Sequence, residues 1–125
     1  MSNSFEELIV YQKARTFRRD ISLLVKTFPP EERFRLTDQL IRSSRSVAAQ
    51  LAEGHGRFHY QENIQYCRIS RGSLEETHEH LSVALDVGYI DEIQFENLLT
   101  QKTEILKILN GYITFLQKSK RENLT

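Results

Sequence analysis

Glu75 and His78 form a Glu-x-x-His pair. That spacing sets both side chains on one face of a helix, as in carboxylate-bridged metal centres of helical bundles. A complete centre needs a second such pair and two further inward glutamates, and no second pair occurs elsewhere in the chain. The pattern therefore predicts no metal and no cofactor, with Glu75 in water and His78 at the edge of the core. His55 and His59 flank Arg57 beside Gly54-His55-Gly56. That string is too short for a phosphate loop and follows no strand, so an exposed turn is expected. Cys67 falls on an apolar stripe, where a thiol behaves as a small hydrophobe rather than a nucleophile. No local signature of a Ser-His-Asp hydrolase is present. The paired carboxylates Glu6-Glu7, Glu31-Glu32 and Asp91-Glu92 stand at expected helix starts, where the helix dipole favours negative charge. These residues point away from catalysis, and no catalytic residue is assigned.

The remaining charged residues suggest packing and recognition. Arg71 lies on the core stripe of its helix, and a buried arginine needs a carboxylate because an unpaired buried charge is very costly. Glu53 or Glu76 is the expected partner, fixing two helices whose small residues Ser44, Ala48, Ala52, Ser70, Gly72 and Ser73 permit close approach. Charge at or near the helix seam is thus expected. The net charge is zero, but residues 1–71 carry +4 and residues 72–125 carry −4, and ten of the eleven arginines lie in the first part. Arginine suits bidentate phosphate and carboxylate contacts. Arg15, Arg18 and Arg19 on the first helix, Arg42 and Arg45 on the second, and Arg57 after it are the candidate nucleic-acid contacts. The plain alternative is two solvated faces of opposite sign.

Four helices must position these side chains. Ser4 and Glu7 match a capping box, and Val10, Ala14, Phe17, Ile21, Leu24 and Phe28 recur at helical spacing until Pro29-Pro30 interrupts. The second helix carries Leu40, Ser44, Val47 and Leu51, flanked by Ile41, Ala48 and Ala52. Gly54 and Gly56 are expected to end it through left-handed backbone. The third carries Ile64, Cys67, Leu74, Leu81 and Leu85. Asp91 and Gln94 form a capping box for the fourth, which continues to about Ser119 before a frayed tail over residues 121–125. The predicted helices are 4–28, 36–54, 60–88 and 91–119 in one domain over 1–125. Short links favour an all-α, antiparallel up-down-up-down four-helix bundle. On the fourth helix, apolar residues cover an arc of roughly 200°, wider than one bundle core requires. A second copy of the chain is the expected cover, through Leu99, Leu106, Ile108, Ile113 and Phe115.

A chain of 125 residues can bury a core without disulfides or metal. One cysteine excludes an intrachain disulfide and fits a reducing compartment. With no secretory leader and no apolar run of membrane length, a cytoplasmic protein without a membrane partner is expected.

The strings LTDQLIRSSRSVAAQLAEGHGR and ISRGSLEETHEHLSVALDVGYID, with the opening FEELIVYQKARTF, resemble the 23S rRNA intervening-sequence (S23) family of four-helix bundles from about Phe5 to Leu116. Ala52-Glu53-Gly54 matches the motif ending its second helix, and Arg71-Gly72-Ser73 with Glu76 matches the motif of its third. Gln50 replaces a usual asparagine, and Ser43-Ser44 replaces a pair of small apolar residues. The resemblance implies a bacterial, non-enzymatic homopentamer associated with RNA or ribonucleoprotein. A related set, the accessory proteins of diversity-generating retroelements, implies the alternative of a scaffold recruiting a nucleic-acid enzyme such as a reverse transcriptase. Those proteins are strongly basic, whereas this chain is neutral.

Overall fold

The structure, a computed structural model, describes residues 4–123. A short 3-10 turn at Phe5–Glu7 precedes α1 (Ile9–Leu24), and two more at Val25–Thr27 and Pro30–Glu32 lead into α2 (Leu36–His55). α3 (Tyr60–Asp86) and α4 (Glu92–Glu122) complete the chain. The apolar periodicity explains these elements: Val10, Ala14, Phe17 and Ile21 of α1 are buried, as are Leu40, Val47 and Leu51 of α2. Ile64, Cys67, Leu74 and Leu81 of α3 join Leu98, Ile105, Leu109 and Leu116 of α4 in the same core.

Side-chain bonds give the register. Ser43 and Ser70 bond to Thr77 and Val47 across α2–α3, Gln61 and Glu75 to Lys120 and Lys102 across α3–α4, and Lys13 and Asp20 to Glu104 and Gln101 across α1–α4. In each pair of helices one number rises as the other falls, so neighbours run antiparallel. The result is the expected up-down-up-down bundle.

The helix ends depart from expectation in three places. Ser4 accepts from the Glu6 backbone and caps the 3-10 turn, while α1 itself starts after Leu8 without a side-chain cap. Gly54 and Gly56 do not adopt left-handed backbone; Gly88, φ 80°, is the only described residue with positive φ. Gly54 lies inside α2, where an added Cβ would come within 2.8 Å of both Asn63 Oδ1 and Tyr66 Cβ. It is required by close approach rather than by a turn. Gly88 ends α3 in a Schellman motif, with Tyr89 N–H donating to Ala84 O at 2.9 Å and Gly88 N–H to Leu85 O at 3.1 Å. Asp91 and Gln94 form the reciprocal capping box foreseen for α4. α4 continues through Arg121 and Glu122; of the tail expected to fray, Leu124 and Thr125 lie outside the described residues.

Candidate functional site

The arginines occupy distinct environments. Arg15, Arg19 and Arg45 are exposed. Arg18 is half-buried, its guanidinium 5.9 Å from the Tyr11 ring centre. Arg42 pairs with Asp38 at 2.9 Å within α2. α1 and α2 pack against each other, so Arg15, Arg18, Arg42 and Arg45 lie on two neighbouring helices. Arg57 is separate. It bonds to Glu53 at 3.1 Å and Tyr66 Oη at 2.7 Å, lies 3.7 Å from Glu62, and covers the Tyr66 ring at 4.9 Å. Two carboxylates thus offset its charge, and it braces the end of α2 against α3.

The expected pairing of Arg71 is corrected. Its guanidinium is half-buried and donates to Asn110 Oδ1 of α4 at 2.8 Å. Glu53 instead pairs with Arg57, and Glu76 lies 3.1 Å from His80 Nε2 on its own helix. Residue 71 lies on the side of α3 that meets α4, so the long side chain reaches that neighbour rather than the end of α2.

The α2–α3 seam is held by hydroxyls instead of charge. Thr77 Oγ1 donates to Ser43 Oγ at 2.8 Å, Ser70 Oγ to Val47 O at 2.6 Å, and Ser46 and Ser73 hydroxyls lie 2.8 Å apart. Small side chains let the backbones approach, and each buried hydroxyl finds a partner. The described residues hold no buried side-chain polar atom without a hydrogen bond.

Buried charge sits at α3–α4, at a residue the sequence reading did not single out. Lys102, 8% exposed, donates to Glu75 Oε1 at 2.9 Å and lies 3.1 Å from His78 Nδ1. The usable signal was its position within the apolar arc of α4. Glu75 and His78 thus serve a lysine. No group of three or more His, Cys, Asp or Glu gathers at metal-binding distance among the described residues. Cys67 is fully buried. Burial pushes its thiol up to about 11, against a smaller lowering by Arg71, so the thiolate nucleophile is suppressed.

Of the five α4 residues expected to meet a second copy, Ile113 is corrected: at 5% exposure it belongs to the chain's own core. Leu99, Leu106 and Ile108 are partly buried against that core, and Phe115 is 61% exposed. α4 packs against both α3 and α1, which takes up much of its wide apolar arc.

The α2–α3 turn carries a feature absent from the sequence reading. Phe58 is 96% exposed and Tyr60 40%. They line a groove with His59, Gln61, Lys120 and Asn123. A second groove between α3 and α4 shares Gln61 and Lys120 and adds Ile64, Arg68, Gln117 and Arg121. The clue was the string Arg57-Phe58-His59-Tyr60, an aromatic and basic run without an aliphatic core residue.

The family model described as 23S rRNA-intervening sequence protein matches residues 6–111. Among solved structures, the chain is similar to a protein of unknown function from the S23 ribosomal protein family of Bacteroides thetaiotaomicron, at 27% identity and a TM-score of 0.78. The match covers 84% of this chain and 98% of that one. No curated protein matches the chain.

Proposed function

The chain belongs to the 23S rRNA-intervening sequence protein family, and on that premise we propose that it is a non-enzymatic, homo-oligomeric RNA- or ribonucleoprotein-associated bundle of the bacterial cytoplasm. The observation carrying this reading is the family match over residues 6–111, most of the chain. The arginines of the neighbouring helices α1 and α2 supply a chemistry that fits it. Arg15, Arg18 and Arg45 would contact phosphates, with Arg42 shared between Asp38 and the ligand. A ring, for which a homopentamer is the expected form, would repeat this modest patch and so raise avidity without a strongly basic chain.

The test is light-scattering mass on a size-exclusion column, with the absorbance ratio recorded on natively purified protein, followed by RNA titration at several salt concentrations. A multimer that binds RNA with affinity falling steeply in salt is expected. Arg15→Ala, Arg18→Ala and Arg45→Ala together should weaken binding and flatten the salt slope. A monomer without RNA affinity would refute the reading. The second reading, a scaffold recruiting a nucleic-acid enzyme such as a reverse transcriptase, is favoured by the exposed apolar Ile93, 73% accessible near the start of α4. It would give partner binding insensitive to salt.

A further inference from the structure

We propose that the two joined grooves beside the α2–α3 turn form a site for unpaired RNA, with Phe58 and Tyr60 as stacking platforms and Arg68, Lys120 and Arg121 as phosphate contacts. This rests on the RNA reading above but uses a different surface from the α1–α2 arginines.

A single-strand site combines exposed aromatic faces with a cationic track, because unpaired bases present ring faces while the backbone presents charge. Both parts meet here. Phe58 stands almost wholly in water, its ring against His59 at 5.4 Å between centres. A phenylalanine left in water forgoes the free energy of burial, and no other ring covers it among the described residues. Tyr60, two residues on, lines the same groove. Lys120 lines both grooves and donates to Gln61 Oε1, so the aromatic part runs into the cationic part without a break. The residues lining the two grooves include Arg68, Lys120 and Arg121 and no carboxylate. That is notable in a neutral chain whose second part carries net negative charge.

The turn is also held in place. Gly54 lets the end of α2 press on Asn63 and Tyr66, and Arg57 ties Glu53 and Glu62 across the turn. The platforms are therefore pre-positioned, which reduces the ordering cost of binding.

Charge favours RNA over a second copy as the occupant. Charged residues are depleted in the core of protein interfaces, whereas a phosphate backbone is matched by them. A duplex fits poorly because its base faces are stacked inside.

The test uses the full chain with a fluorescein-labelled 12-nucleotide unstructured RNA and, separately, a duplex of equal phosphate count. Both rings are exposed, so Phe58→Ala with Tyr60→Ala should melt like the parent. We expect this pair to weaken strand binding at least about fivefold and to leave duplex binding within twofold. Phe58→Tyr with Tyr60→Phe should restore it. Lys120→Ala with Arg121→Ala should weaken strand binding and flatten its salt dependence. If the parent binds the strand and the double alanine variant binds it equally well, the site is refuted while the RNA reading stands. If the parent binds neither probe, the RNA reading fails and takes the site with it. If the double variant lowers the mass in light scattering, the rings lie in a subunit contact and the proposal is overturned.

Discussion

Cys67 and Lys102 place two ionisable groups inside the bundle with opposite consequences. The Cys67 thiol, raised to about 11 by burial, keeps its proton in the native state at pH values where the unfolded thiol loses it. The native state then binds more protons than the unfolded one, so this group's stabilising effect is full below about pH 9 and is lost as pH rises toward 11. Cys67→Ala should therefore lose less stability than the parent between pH 9 and 11, read from urea melts across that range. Native protein at pH 8 should also react with iodoacetamide far more slowly than urea-unfolded protein; equal rates would contradict the burial. Lys102 is a charge held by a half-exposed carboxylate. Removing only the carboxylate leaves a buried ammonium with less compensation, so Glu75→Ala should destabilise by about 1–2 kcal/mol. Lys102→Met removes the charge and keeps the volume, and should be close to neutral or stabilising. Denaturant melts of the two variants distinguish this from an inert surface pair, for which both would be neutral.

At the scale of elements, Gly54 of Ala52-Glu53-Gly54 and Gly72 of Arg71-Gly72-Ser73 act differently. Gly54→Ala drives a Cβ to within 2.8 Å of Asn63 and Tyr66, with Asn63 O only 3.2 Å away. Tyr66 Cβ cannot swing aside without moving α3, so a loss of about 2–3 kcal/mol is expected. Gly72 stands in the interior of α3 with no atom within 4 Å of its would-be Cβ. Gly72→Ala should gain about 0.5–1 kcal/mol through helix propensity alone. Thermal melts giving both variants the same sign would refute the packing account. The same contrast explains what could be read from sequence. Helical periodicity placed Leu40, Val47, Ile64 and Leu81 in the core and made four helices evident, and Asp91-Gln94 fixed the start of α4. Periodicity does not say which neighbour a long side chain reaches, so Arg71 was assigned to Glu53 or Glu76 when it turns to Asn110. Nor does it separate a glycine needed for space from one needed for a turn, hence the reversed reading of Gly54. The turn aromatics were invisible because a pattern search looks for apolar residues that repeat, and Phe58 repeats with nothing.

For the whole molecule, shape and surface bear on assembly. The accessible surface is 7829 Å² for 14.7 kDa, against about 6,900 Å² for a compact monomer of this mass. The surplus reflects an elongated bundle: the 31 residues of α4 span about 46 Å. On α4 the apolar residues beside the core stripe fall on two flanks: Leu99 and Leu106, half-buried, on one, and Ile108, half-buried, with the exposed Phe115 on the other, the Phe115 ring stacked on Tyr112 at 6.4 Å. If copies of the chain cover these flanks, folding and association are linked, and the melting temperature must rise with protein concentration. Each tenfold increase should add a few degrees for a domain of this size. Phe115→Asp, exposed in the single chain and so harmless to its core, should reduce the mass in light scattering and abolish the concentration dependence. Ile113→Ala should behave differently: it lowers the melting temperature at every concentration, because that side chain supports the chain's own core. A melting temperature independent of concentration, with monomer mass for the parent, would reject assembly through α4 and leave the elongated bundle as a monomer presenting its charged and aromatic surfaces singly.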